Sequence, residues 1–187
     1  MMAVLSAELR AKAEEIKARY PDARSAMMPL LYLAQSAEGH VSREGLREVA
    51  EILGLRTAEV EAVASFYTML RLTPAGKYIL SICTNVSCAL RGGKELFETA
   101  KQELGPGCEG VTPDGLLTLH EEECLGACDA APLVQVNFCN YDRMTKERLL
   151  ELIEALRRED LPLPSRGKAP ADLKAASQTL AGLGSER

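Results

Sequence analysis

Two pairs of cysteines constrain this chain more than any other feature of its sequence. Cys83 and Cys88 are separated by four residues, Cys124 and Cys128 by three, and 35 residues lie between the pairs. Each pair follows a segment rich in aliphatic and β-branched residues, so each is predicted to lie in a loop at the C-terminal end of a β-strand. Two such loops on neighbouring strands would gather four thiolates at one edge of a sheet.

Four thiolates in two pairs suit a 2Fe-2S cluster, because each of its irons takes two protein ligands. Structural zinc sites also use four cysteines, but their paired ligands more often have two residues between them. The spacing therefore favours iron-sulfur and leaves zinc as the alternative. Disulfides are disfavoured in a reducing compartment, and the C-x2-C pair of thioredoxin-type redox sites is absent from the sequence. Cys108 and Cys139 are expected to be free thiols, since four ligands complete the site.

Composition and charge exclude several other classes of function. Hydrophobic residues make up 47% and charged residues 26% of the 187 residues, as in a soluble globular protein. The formal net charge of -5 argues against a nucleic-acid binder. Apolar runs are far shorter than the roughly 18 residues of a membrane span. The N-terminal sequence lacks the pattern of a secretory signal, so a cytoplasmic protein is expected.

The segment 1–73 is predicted to be a helical bundle. Apolar residues recur at helical spacing in four stretches. Ser6, Ser42 and Thr57 are candidate N-caps, and Gly39 and Gly54 are candidate C-terminal stops. The predicted helices cover about 6–20, 26–36, 42–53 and 57–67.

The segment 74–159 has the alternation of an α/β domain. The predicted order is a strand, a helix, three strands and a final helix. Residues 160–187, rich in proline and alanine and without a clear apolar face, are expected to form a flexible tail. No dinucleotide fingerprint or phosphate loop follows a predicted strand, so no nucleotide site is expected in this chain. The predicted elements are strands at 77–83, 116–122, 133–137 and 139–141, and helices at 94–104 and 145–158.

Beyond the cysteines, a long series of motifs resembles one known family. The chain is similar, over about residues 17–157, to the small thioredoxin-like 2Fe-2S subunit of NADH:quinone oxidoreductase, or respiratory complex I. The most specific block is Glu123-Cys124-Leu125-Gly126-Ala127-Cys128. Other matching blocks are Val63-Ala64-Ser65-Phe66-Tyr67, Gly76-Lys77-Tyr78, Thr112-Pro113-Asp114-Gly115, Ala131-Pro132 and Gln135-Val136-Asn137.

The resemblance implies an α+β chain in which an N-terminal helical bundle precedes a thioredoxin-like 2Fe-2S ferredoxin domain. It also implies an electron-transfer subunit of an oxidoreductase, without a catalytic residue or a complete active site of its own. The implied partners are the large subunit that binds FMN and NADH, whose flavin feeds the cluster, and other subunits of the peripheral arm. The complex would lie on the cytoplasmic face of the inner membrane, without insertion of this chain. The implied ligands of one 2Fe-2S cluster are Cys83, Cys88, Cys124 and Cys128.

Two other functions remain open from sequence. The equivalent subunit of an NAD-linked hydrogenase or formate dehydrogenase would carry the same cysteines. A zinc-bound structural adaptor that docks a partner through its helical bundle is the alternative from a different class. The sequence departs from the family pattern at Asn85-Val86, at Cys139 and after Asp160.

Overall fold

The computed structural model describes residues 3–183, and these residues divide into two compact units. The first unit contains the described residues up to Pro74 and those from Leu173 onward, and the second contains Ala75–Asp172. Residues 1–2 of the predicted bundle and 184–187 of the predicted tail lie outside the described part of the chain.

The first unit is helical, as the apolar periodicity predicts. The side chain of Ser6 accepts a hydrogen bond from the backbone N–H of Leu9, and Ser42 accepts one from Gly45, so both predicted caps are confirmed. Gly39 follows its helix in the left-handed conformation that glycine adopts without strain. The helices are α1 (Ala7–Lys17), α2 (Met27–Glu38), α3 (Arg43–Leu53) and α4 (Thr57–Phe66), with a 3-10 turn at Ala23–Ala26.

The start of α4 differs from the prediction. Thr57 is the first helical residue and Arg56 occupies the N-cap position. The carboxylate of Glu59 accepts a hydrogen bond from the backbone N–H of Arg56 at 3.2 Å. The side chain of Glu59, the third helical residue, therefore accepts the hydrogen bond of the N-cap backbone N–H. The Thr57 hydroxyl is not needed as a cap.

A helix lies where the sequence predicts a flexible tail. Helix α8 (Leu173–Leu180) packs on α2 within the first unit. Gln35 and Ser177 are fully buried there, and the Gln35 amide donates to the Ser177 hydroxyl at 3.1 Å. The buried side of α8 thus includes a polar residue, Ser177. The helix has only eight residues and follows a proline-rich stretch, a composition that predicts a flexible tail.

The second unit is built on a mixed four-stranded sheet. Its elements are β1 (Tyr78–Cys83), α5 (Val86–Ala89), α6 (Gly93–Leu104), β2 (Leu117–Glu122), β3 (Val134–Val136), β4 (Cys139–Tyr141) and α7 (Lys146–Arg157). The strands lie in the order β2-β1-β3-β4, with β1 and β2 parallel and the other two pairings antiparallel. The four strands and the two longer helices agree with the sequence prediction, whereas the short helix α5 is not predicted.

Strand β1 is central, and every one of its residues is buried. It is buried because it pairs on both edges and because α6 and α7 contribute apolar side chains to the same core. The sheet therefore fixes the position of the C-terminal end of β1, from which the next loop begins. The core residues include Leu80, Ile82, Leu96, Phe97, Leu119, Val134, Val136, Leu149, Leu152 and Ile153.

Asn137 anchors the hairpin between β3 and β4. Asn137 and Phe138 both have positive φ, at 41° and 74°, which is the backbone requirement of a tight two-residue hairpin turn. The Asn137 side chain is buried, accepts from the N–H of Ile79 at 2.9 Å, and donates to the carbonyls of Lys77 and Ala171. One amide thus satisfies three backbone groups.

Replacing Asn137 with Ala is expected to destabilise the second unit by about 2–3 kcal/mol, because three backbone groups lose their partner. Asn137→Gly loses the same bonds but tolerates positive φ. Asn137→Gly should therefore lower the free energy of unfolding by about 1 kcal/mol less than Asn137→Ala does. Denaturant unfolding of both variants measures the difference. Equal stability of Asn137→Ala and the unmodified chain would contradict this role.

Candidate metal centre

The topology of the sheet places both cysteine loops at the same edge. Because β1 and β2 are parallel and in register from Tyr78–Leu117 to Cys83–Glu122, their C-terminal ends lie side by side. The N–H of Thr84 extends this pairing by donating to the carbonyl of Glu122 at 3.0 Å. The first pair of cysteines begins at the last residue of β1, and the second begins two residues after β2.

The two pairs differ in burial. Cys83 and Cys88 are only 2% and 1% exposed and lie in a small apolar cluster apart from the main core of the unit. Cys124 and Cys128 are exposed, and their sulfur atoms lie 3.4 Å apart. One pair is therefore shielded from water and the other faces it. The apolar cluster consists of Cys83, Cys88, Ala127, Ala130, Ala131 and Leu133, with Leu125 packed against it.

Burial and the neighbouring Cys83 thiol raise the pKa of Cys88 to about 11, although a hydrogen bond from the backbone of Leu133 acts in the opposite direction. A backbone hydrogen bond from Gly126 lowers the pKa of Cys124, and the adjacent Cys124 raises the pKa of Cys128. The thiolate is the form that ligates metal, so ligation at Cys88 releases a proton.

Glycine at position 93 allows the start of α6 to approach the first cysteine loop. A β-carbon added to Gly93 would lie 2.5 Å from the carbonyl oxygen of Cys83 and 2.9 Å from that of Cys88. Both contacts are with backbone, which cannot move aside as the end of a side chain can. The absence of a side chain at Gly93 is therefore part of the geometry that holds the first pair.

Two glutamates connect the cysteine loops, a role that the sequence does not indicate. The Thr84 hydroxyl donates to the Glu121 carboxylate at 2.7 Å, and the Asn85 amide donates to the Glu123 carboxylate at 2.6 Å. Both glutamates are exposed, in agreement with the solvated edge that acidic residues beside Cys124 predict, but their hydrogen bonds are not predicted. The two hydrogen-bonded pairs are 37 and 38 positions apart in the sequence, and no local sequence pattern predicts contacts over that distance. Only the parallel register of β1 and β2 reveals these bonds.

Cys108 and Cys139 belong to neither loop. Cys108 is buried in the main core of the second unit, and burial raises its pKa. Cys139 is half-buried at the start of β4, and burial raises its pKa as well. Among residues 3–183, no group of three or more His, Cys, Asp or Glu side chains is arranged to hold a single metal ion.

The donor set of the two loops fits a 2Fe-2S cluster. It consists of thiols in two pairs, which provides two ligands for each iron. Small residues adjoin the cysteines, and the backbone of Gly126 and of Leu133 acts to lower the pKa of Cys124 and of Cys88, respectively, and so favours their thiolates. Hydrogen bonds from the backbone to the sulfurs are one of the means by which proteins set the potential of such a cluster.

Comparison with known proteins decides the family. Residues 13–157 match the sequence profile of the thioredoxin-like [2Fe-2S] ferredoxin family. The chain belongs to this family. Membership confirms the predicted fold class, an N-terminal helical bundle followed by a thioredoxin-like α/β domain, and it confirms the predicted 2Fe-2S cofactor in preference to zinc.

Relatives within the family extend the match beyond the ferredoxin domain. The NADH-quinone oxidoreductase subunit designated E in Mycobacterium tuberculosis is 45% identical over 181 residues, which are 97% of this chain and 72% of the relative. The subunit designated 2 of the same enzyme in Thermus thermophilus is 41% identical over 160 residues, covering 82% of this chain and 88% of the relative. These matches confirm the resemblance to the complex I subunit.

A solved structure is also similar. An NAD+-reducing [NiFe]-hydrogenase chain aligns with a TM-score of 0.59 and 26% identity. The alignment covers 73% of this chain and only 24% of the hydrogenase chain, so the family fold occurs there as a segment of a much longer polypeptide.

Proposed function

We propose that this chain is the small 2Fe-2S subunit of an NADH-quinone oxidoreductase and that Cys83, Cys88, Cys124 and Cys128 ligate its cluster. The 45% identity to the mycobacterial oxidoreductase subunit across 97% of the chain carries the proposal. The cluster supplies reversible one-electron transfer and no other chemistry. No residue of the chain is assigned a proton transfer to a substrate.

The residues of the two loops have complementary tasks in this proposal. The buried pair, Cys83 and Cys88, is shielded from water, while the exposed pair, Cys124 and Cys128, faces it. Glu121 and Glu123 hold the loops together through Thr84 and Asn85. A rigid site suits electron transfer because little needs to rearrange when the charge changes.

The proposed electron donor is the larger subunit that binds FMN and NADH, and the other proposed partners are subunits of the peripheral arm. The described part of the chain contains no helix with the length and apolarity of a membrane span. The proposed location is the cytoplasmic face of the membrane, reached through the assembled complex.

The second candidate is the equivalent subunit of an NAD-linked hydrogenase, which the similarity to the hydrogenase chain favours. The identity is 26% in that comparison, against 41% and 45% for the oxidoreductase subunits. Complex I is therefore the better supported assembly. Identification of the subunits that co-purify with the tagged chain distinguishes the two.

Reduction by NADH tests the proposed function. The isolated chain should keep its visible iron-sulfur absorbance when NADH is added, because its sequence contains no dinucleotide fingerprint. Addition of the flavoprotein subunit from the same organism should then bleach this absorbance. Bleaching by NADH alone, or no bleaching with the flavoprotein present, would contradict the proposal.

A further inference from the structure

The short helix α5 exposes an apolar face beside the buried cysteine that it carries. Val86 is 67% and Leu90 is 84% exposed, and Leu90 is the most exposed large apolar side chain of the described residues. The N–H of Leu90 donates to the carbonyl of Val86, so the two side chains lie on the same side of this turn. Cys88 lies between them in sequence and is buried. The turn therefore presents two apolar side chains to water and a thiol to the interior.

The charges at the two ends of this face are opposite in sign. Glu121 and Glu123 are hydrogen-bonded to Thr84 and Asn85, the residues immediately before Val86. These bonds hold two carboxylates at the Val86 end. At the other end Arg91 follows Leu90 directly and is exposed. An apolar centre with an acidic and a basic border is the anatomy of a specific protein interface.

We infer that Val86 and Leu90 anchor the surface through which this chain docks on its electron-donating flavoprotein subunit. The inference rests on the proposed function, which supplies the donor. The complementary surface has an apolar pocket, with Lys or Arg facing Glu121 and Glu123 and with Asp or Glu facing Arg91. The electron donor is the expected occupant because a partner on this face lies against the turn that carries Cys88, and electron transfer requires such close approach.

Substitution at the apolar centre tests the inference in the complete chain. The variants are Val86→Ser and Leu90→Ser, with Leu163→Ser as the matched control. Leu163 is 74% exposed but lies beside α7. Binding to the purified flavoprotein subunit is measured by sedimentation, and the EPR signal of the reduced cluster is recorded on the same samples. Each anchor variant should weaken binding at least tenfold, while Leu163→Ser binds normally and every variant keeps the full EPR signal.

Three results would overturn the inference. Unchanged binding of Val86→Ser and Leu90→Ser would place the interface elsewhere. Failure of the unmodified chain to bind the flavoprotein would remove the proposed occupant. Loss of self-association in the anchor variants, without loss of flavoprotein binding, would assign the face to a second copy of this chain. A missing EPR signal in the unmodified chain would instead contradict the proposed function, so the two failures are distinguishable.

Discussion

Serine in place of Cys88 or Cys128 is expected to remove or strongly perturb the 2Fe-2S cluster. A serine oxygen is a harder and poorer ligand for this iron than a thiolate. Cys88 is also shielded from water by apolar surroundings, with only 1% of the residue exposed, so solvent does not readily supply a replacement ligand. Iron content and the EPR spectrum of the dithionite-reduced variants measure the loss. We expect less than about a tenth of the unmodified signal for Cys88→Ser and an altered or diminished spectrum for Cys128→Ser.

Cys108 and Cys139 provide the matched controls for this prediction. Cys108→Ser places a hydroxyl in the main core and should lower stability, but it should leave the spectrum of the folded protein unchanged. Cys139→Ser, at a half-buried position, should change neither stability nor spectrum by much. A drastic spectral change in either variant would mean that the proposed ligand set is wrong.

Alanine at position 93 is expected to lower the stability of the second unit and to disturb the first cysteine loop. The added β-carbon would meet the backbone oxygens of Cys83 and Cys88 inside normal contact distance. Relief requires α6 to move away from the first cysteine loop, at a cost of about 2 kcal/mol. In a unit of this size that cost lowers the unfolding midpoint by about 10 °C. Thermal unfolding followed by circular dichroism, together with cluster content after expression, measures the effect.

Gly45→Ala separates this steric effect from the general effect of replacing glycine. A β-carbon at Gly45 would make only ordinary contacts, the nearest at 3.5 Å from the Ser42 hydroxyl, and the residue lies in helix α3. The substitution should be neutral or stabilising by up to about 1 kcal/mol. Equal unfolding midpoints for Gly93→Ala and Gly45→Ala would show that position 93 tolerates a side chain.

The sequence predicts those features of this protein that rest on local patterns. Periodicity locates helices α1–α4 of the first unit and the four strands of the second. Hydroxyl side chains mark the starts of α1 and α3. The position of each cysteine pair after a strand also predicts that the pairs share an edge, because parallel strands end together. The predictions of helices, strands and caps hold because each depends on neighbours within one turn or one strand.

Features that depend on long-range contacts do not follow from the sequence. Helix α8 is stabilised by burial of Ser177 against Gln35, a contact between residues 142 positions apart. The bonds from Glu121 and Glu123 to the first loop exist only once β1 and β2 are in register. At α4, the hydroxyl of Thr57 suits an N-cap, whereas Arg56 occupies that position. In the first two cases the structure depends on residues far away in the sequence, and at α4 it depends on a competing local hydrogen bond.

The iron and sulfide content of the anaerobically purified chain, together with its EPR spectrum, decides whether the chain holds a 2Fe-2S cluster. We expect about two irons and two acid-labile sulfides per chain. We also expect an EPR signal that is absent in the oxidised protein and appears on reduction with dithionite. One zinc per chain, without iron or sulfide, would contradict the assignment of a 2Fe-2S cluster.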